Sequence, residues 1–223
     1  MAPAVLGLPW PAVIARAKRA SIKGVAIRSA VADLRRLIDA DAVPASVAFD
    51  LLTDFERLLL KRGVDDEAWY PMGCYDRINR VLFEHDGHGA PDYFQKRGRA
   101  VAERVIAAGA FKQVDFVRRI EPGAAVEQVV LNLRVAGTLW MGMFNAGAWR
   151  VLSTADFAAI AGATGDSIGV EITDAEDFSN MAVEAILGFI KRLAEETAGS
   201  EVEVTVDRPT SSTLRFGFRW LEP

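Results

Sequence analysis

Cysteine is almost missing, with Cys74 the only one in 223 residues. That excludes an intrachain disulfide and a multi-cysteine zinc site, and makes a reducing, cytoplasmic setting the simplest expectation. Histidine is nearly as scarce, limited to His85 and His88. A basic excess is lacking too. Twenty-six Lys+Arg stand against thirty Asp+Glu, a net charge of −4, which argues against a dedicated nucleic-acid binder. The most apolar long stretch, Val126–Phe144, is interrupted by Glu127, Gln128, Asn132 and Arg134, so no transmembrane span is expected. The first twenty residues place no basic residue ahead of their apolar part and carry Pro3, Pro9 and Pro11. A secretory signal has the opposite order of charge and apolar run. The Gly-x-Ser-x-Gly, P-loop and Gly-x-Gly-x-x-Gly patterns are absent as well.

What is present is apolar periodicity. Residues 1–20 read as an arm anchored by Trp10-Pro11. Residues 21–223 read as one domain, long enough to bury a core without staples. Val31, Leu34, Leu37 and Ile38 share a helical face. A second helix is expected over Ala45–Arg62, with Gly63 as its C-terminal cap. Pro71 opens a third helix carrying Tyr75, Ile78 and Leu82. Pro91 opens a long fourth one in which Gly98 would cost about 1 kcal/mol relative to alanine, a cost that close backbone packing would explain. Pro122 is placed to start a helix through Val126, Val129, Val130, Leu133, Gly137 and Trp140. Its β-branched content suggests a strand, but its length and spacing decide for helix.

After Asn145-Ala146-Gly147 the grammar changes. Ala148–Ser153 and Ser167–Thr173 read as strands joined by turn-rich sequence, including the small residues Ala161–Asp166. Glu176–Glu196 reads as an amphipathic helix. Glu201–Val206 and Leu214–Trp220 alternate as an antiparallel hairpin. The expected class is α+β, a helical layer on a four-stranded antiparallel sheet with a β-β-α-β-β C-terminal half.

Few residues carry chemistry on their own. His85 and His88, with Glu84 and Asp86, have metal-ligand atoms, but with no third distant ligand an exposed loop is the commoner reading. Cys74 reads as a buried structural thiol. Asp174, Glu176 and Asp177 read as helix-start carboxylates. Trp140, Met141, Met143, Phe144 and Trp149 form an aromatic and methionine cluster that is either core or the wall of a hydrophobic site.

Ile22-Lys23-Gly24-Val25, Ala68-Trp69-Tyr70-Pro71 before a helix, Gly98-Arg99-Ala100, and a final hairpin ending in Arg219-Trp220 together resemble the TRAPP/vinyl-reductase-type ligand-binding superfamily. The nearest likeness is to a paralogous family abundant in myxobacteria, over roughly residues 21–221. The resemblance implies the same helical layer on a four-stranded sheet. It also implies roles in dimerisation, tether assembly, or sensing of hydrophobic and tetrapyrrole-like ligands. The cysteine cluster of the metal-binding branch is absent, as are the axial histidine and the tyrosine-serine-arginine signature of the distantly related haem-based nitric-oxide sensors. No cofactor and no metal are therefore expected. The expected function is a non-enzymatic interaction module, a homodimer or a complex with a related protein. One alternative is a sensor or carrier of an apolar, acyl or tetrapyrrole-like molecule; another is an enzyme accessory in tetrapyrrole metabolism. Candidate pocket residues are Trp69, Tyr70, Gly98, Gly137, Trp140, Met141, Met143 and Phe144.

Overall fold

The computed structural model describes residues 20–112, 125–161 and 168–220. The expected N-terminal arm with Trp10-Pro11, the Pro122 helix start and most of the Ala161–Asp166 loop lie outside them. Strand β1 (Ser21–Lys23) leads into α1 (Gly24–Asp39), α2 (Ala45–Leu51) and α3 (Asp54–Arg62). Then follow β2 (Trp69–Pro71), α4 (Met72–His85), α5 (Tyr93–Ala107) and α6 (Ala125–Met143). The remainder is β3 (Ala148–Leu152), α7 (Thr154–Ala161), β4 (Ile168–Thr173), α8 (Asn180–Ala198), β5 (Val202–Thr210) and β6 (Thr213–Trp220). The expected α+β class holds: helices cover a four-stranded antiparallel sheet of order β3-β4-β6-β5.

Alternation builds the sheet. Val151, Val170, Phe216 and Val206 sit side by side across the four strands and face the helices, which cover them. The other face carries Arg150, Glu171, Arg215 and Asp207 in the same side-by-side arrangement. Glu171 is only 6% exposed there and bonds Arg150 and Arg215 at 2.8 Å each. Burial alone would raise the Glu171 carboxyl, but the two guanidinium groups outweigh it and hold it below the usual carboxylate range. On the same face, the Phe157 ring of α7 lies against Gly169 and Gly217, where a Cβ would come within 2.7 Å and 2.6 Å of it.

The helical layer is drawn onto α8 by a glycine crossing. A Cβ on Gly98 would stand 2.8 Å from the Ala185 carbonyl carbon, and one on Gly188 2.6 Å from that of Gln95. The close packing anticipated at Gly98 is therefore backbone on backbone. One buried apolar cluster runs from Ile27 and Leu34 of α1 through Ile78 and Leu82 of α4 to Phe216 and Phe218 of β6.

Three local expectations need correction, and one strand pairing was not anticipated. The helix expected over Ala45–Arg62 is two helices. Leu52 is extended and only 3% exposed, and Thr53 with Glu56 forms a capping box that starts α3 afresh. Ser21–Lys23 and Trp69–Pro71 pair as a short ribbon, with Ile22 opposite Tyr70. The segment read as turn-rich after β3 contains α7. Finally, α8 starts at Asn180, where the Ser179 side chain accepts from the Ala182 N–H. The carboxylates read as its start lie upstream, and Asp177 instead accepts from the Ala20 N–H at 2.9 Å.

The same N-terminal strand is stitched elsewhere. The Ser21 N–H donates to Asn145 Oδ1 and the Asn145 N–H to the Ser21 carbonyl. Ile22 also bridges to Phe144.

Candidate functional site

The site follows from α6 having two apolar faces. Val129, Leu133, Ala136 and Trp140 recur at helical spacing and are 0–4% exposed, forming the face on the core. Val126, Val130 and Arg134, four residues apart, form a second stripe. That stripe and Leu131 look across a cleft of about 590 Å³ at Val151 and Leu152 of β3 and Ile168 of β4. The volume falls within the range of small-molecule sites, roughly 300–1,000 Å³.

Glu127, Gln128, Arg134, Ser153, Thr154 and Asp156 are the polar half of the lining. Gln128 lines it, is 8% exposed, and its side-chain oxygen is buried without a hydrogen-bond partner. Such an orphan costs about 1–3 kcal/mol. Arg134 lies exposed on the wall and makes no ion pair among the described residues. Glu127 belongs to the first turn of α6. Asp156, in the first turn of α7, accepts from the Ser153 hydroxyl at 2.8 Å.

A second, shallower depression of about 420 Å³ lies at the other end of α6. Met141, Phe144, Asp174, Glu176 and Asp177 border it. Beside it the predicted aromatic cluster has assembled. Trp140 stacks on Phe144 at 4.2 Å between ring centres and meets Phe178 at 5.2 Å and Trp149 at 5.6 Å. The Trp140 indole N–H donates to the Gly147 carbonyl at 2.7 Å. Gly137 lies beneath Trp149, 3.0 Å from its indole nitrogen to where a Cβ would be. Met141 is 67% exposed, and Met143 is half-buried.

The other candidates lie apart. Tyr70 is 1% exposed, and its hydroxyl accepts from the Asp65 N–H at 2.9 Å. Trp69 sits on the β1–β2 ribbon and Gly98 at the α5–α8 crossing. Gln128 and Arg134 entered the sequence reading only as interruptions of an apolar helix. The one available signal was that a buried amide on such a helix needs a partner.

No family model matches this chain, and no curated protein matches it. Solved structures do. A T. tengcongensis H-NOX mutant shares 16% identity at a TM-score of 0.54, over 91% of this chain and 99% of that one. A Cs H-NOX mutant carrying 4-cyano-L-phenylalanine shares 16% at a TM-score of 0.56, over 91% and 98%. A double mutant of Tt H-NOX shares 16% at a TM-score of 0.54, over 91% and 96%. The fold is that of the H-NOX domains.

Haem, which the resemblance drew in through the nitric-oxide sensors, does not fit these residues. Haem iron is held by an axial imidazole, thiolate or phenolate, or by a methionine opposite a histidine, and no histidine, cysteine or tyrosine lines either depression. His85 ends α4 and His88 lies exposed in the loop beyond it. Burial pushes the Cys74 thiol up, and pushes the Tyr75 and Tyr93 hydroxyls up to about 12. Among the described residues no three His, Cys, Asp or Glu side chains are grouped to hold a metal, and no helix is long and apolar enough to cross a membrane.

Proposed function

We propose that this protein is a non-haem ligand-binding module, a sensor or carrier of an apolar small molecule held in the cleft between α6 and β3. The observation that carries the reading is the cleft itself, about 590 Å³ with an apolar wall of Val126, Val130, Leu131, Val151, Leu152 and Ile168. The H-NOX-type fold supports the reading, because it sets the cleft where a long helix leans on the sheet. The likeness to the TRAPP/vinyl-reductase-type superfamily, read from the Ile22-Lys23-Gly24-Val25 segment onward, points to the same ligand-sensing class. Self-association of the kind that superfamily uses is the competing reading.

Native mass spectrometry of the purified chain tests both. A retained small molecule, lost in Leu131→Trp, supports the ligand module. A dimer that carries no ligand and is indifferent to Leu131→Trp would refute it in favour of self-association. Incubation with haem is expected to give no protein-bound absorption band, and a stable stoichiometric haem complex would refute the non-haem assignment.

A further inference from the structure

We infer that the shallower depression, at the Met143 end of α6, is the docking surface for this chain's own N-terminal segment, residues 11–19, acting as a tethered basic ligand. The surface is separate from the α6–β3 cleft and does not depend on it.

Three observations converge on that occupant. First, the depression is acidic and apolar at once. Asp174, Glu176 and Asp177 line its 420 Å³, and no lysine or arginine does. All three carboxylates are exposed. Asp174 and Glu176 have no ion pair among the described residues, and Asp177 uses one oxygen for the Ala20 N–H. Arg208 donates to the Phe178 carbonyl at 2.7 Å and does not line the depression. Met141 and Phe144 supply the large apolar side chains. At 67%, Met141 is the most exposed large apolar residue among those described. Second, the segment is the complement. Residues 1–19 hold no Asp or Glu, while Arg16, Lys18 and Arg19 stand among Val13, Ile14 and Ala17. Three positive charges thus meet three negative ones. Lysine and arginine lay their stems along apolar surface and keep their heads in water, which suits carboxylates set beside a methionine and a phenylalanine. Third, the chain is delivered there. Ala20 itself lines the depression and is 5% exposed, so the residues before it start from its edge. Ile14, six residues back, reaches no more than about 22 Å when fully extended. A tether this short gives an effective concentration in the millimolar range, far above that of a second copy in dilute solution. Weak exposed charge pairs then suffice, which favours the chain's own segment as occupant.

The test is oxidation of the full chain by dilute hydrogen peroxide, read residue by residue by mass spectrometry. Met141 is the reporter, and Met72, 3% exposed, is the control for an intact fold. Asp174→Asn with Glu176→Gln should speed Met141 oxidation about fivefold, and so, separately, should Arg16→Gln with Lys18→Gln, since each pair removes exposed ion pairs. Asparagine tolerates the left-handed backbone of Asp174, φ 54°. All four substitutions together should do no more than either pair alone, because both pairs abolish one interaction. Sodium chloride at about 0.5 M should speed the wild type and leave the variants unchanged. Should one pair also speed Met72, the other pair decides. Equal Met141 rates in all forms, or effects of the two pairs that multiply, overturn the inference. Protection that rises with protein concentration assigns the depression to a second copy and overturns the tethered occupant.

Discussion

Gly98→Ala is the sharpest probe of how the helical layer meets α8. A Cβ there would stand 2.8 Å from the Ala185 carbonyl carbon, against the 3.4 Å at which ordinary contact begins. The Ala185 carbonyl oxygen lies nearer still, so the helices would have to part by considerably more than about 0.6 Å, and the obstacle is backbone, which cannot rotate away like a side-chain tip. Overpacking of this kind costs about 1–3 kcal/mol, occasionally more. Because Gly188 presses reciprocally on Gln95, the whole crossing shifts, which places the cost at or above the top of that range. Better helix propensity returns about 1 kcal/mol. The net expectation is about 2–3 kcal/mol of destabilisation, or roughly 5–10 °C in Tm for a chain of this length. Urea titration measures it as a fall in midpoint at constant slope. Gly142→Ala is the matched control. Nothing lies within 4 Å of its added Cβ, so it should stabilise by a few tenths to about 1 kcal/mol. If Gly98→Ala is neutral or stabilising, the helices do not approach as described.

Further tests separate the remaining arguments. Gln128→Met removes a buried orphan oxygen and should raise the stability of the ligand-free protein by about 1–2 kcal/mol in thermal unfolding; a loss would show that the amide already has a partner. Glu56 is fully buried and receives Arg77 Nε at 3.1 Å and the Thr53 N–H at 2.8 Å. Burial opposes its ionisation, but those bonds prevail and its carboxyl sits below the usual range. Its stabilisation is therefore complete above the unfolded carboxylate pKa and lost as pH falls through the lower folded value. Glu56→Gln should be less stable at pH 7 yet lose less on acidification below about pH 4.5, read from urea midpoints across pH. Tyr75 and Tyr93, raised to about 12 by burial, should ionise late in an alkaline absorbance titration. Because their folded values are raised, their contribution is present below about pH 10 and lost as pH climbs toward 12.

Periodicity exposed the long elements because their burial is one-sided or nearly so. The β5–β6 hairpin alternates over Val202–Val206 and Leu214–Trp220, with an irregularity at Asp207–Thr210 between them, and α6 keeps helical spacing despite its β-branched residues. What escaped was decided by long-range or local chemistry that periodicity does not encode. The Leu52–Thr53 break depends on a threonine and a glutamate three residues apart, a capping pattern hidden inside an apolar stripe. The β1–β2 ribbon pairs three residues with three from almost fifty positions away, too short to alternate. The cleft is harder still. Its walls come from α6, β3, the start of α7 and β4, and the Arg134 and Gln128 among them look in sequence like ordinary interruptions. The aromatic cluster was legible because Trp140 and Phe144 are one helical turn apart, but Phe178, which joins them, comes from another part of the chain.

The stitching of the first strand dictates an order of assembly. Ala20 is tied to Asp177, 157 residues on, and Ser21 to Asn145, 124 residues on. Helices α1 to α4 can form as they leave the ribosome, since they pack chiefly on one another, whereas α5 needs α8 for its glycine crossing. The strand ahead of them has no complete set of partners until the loop before α8 has been made. Closing loops of that size adds an entropic barrier that local contacts do not share. The beginning of this domain is therefore among the last of its parts to settle into place.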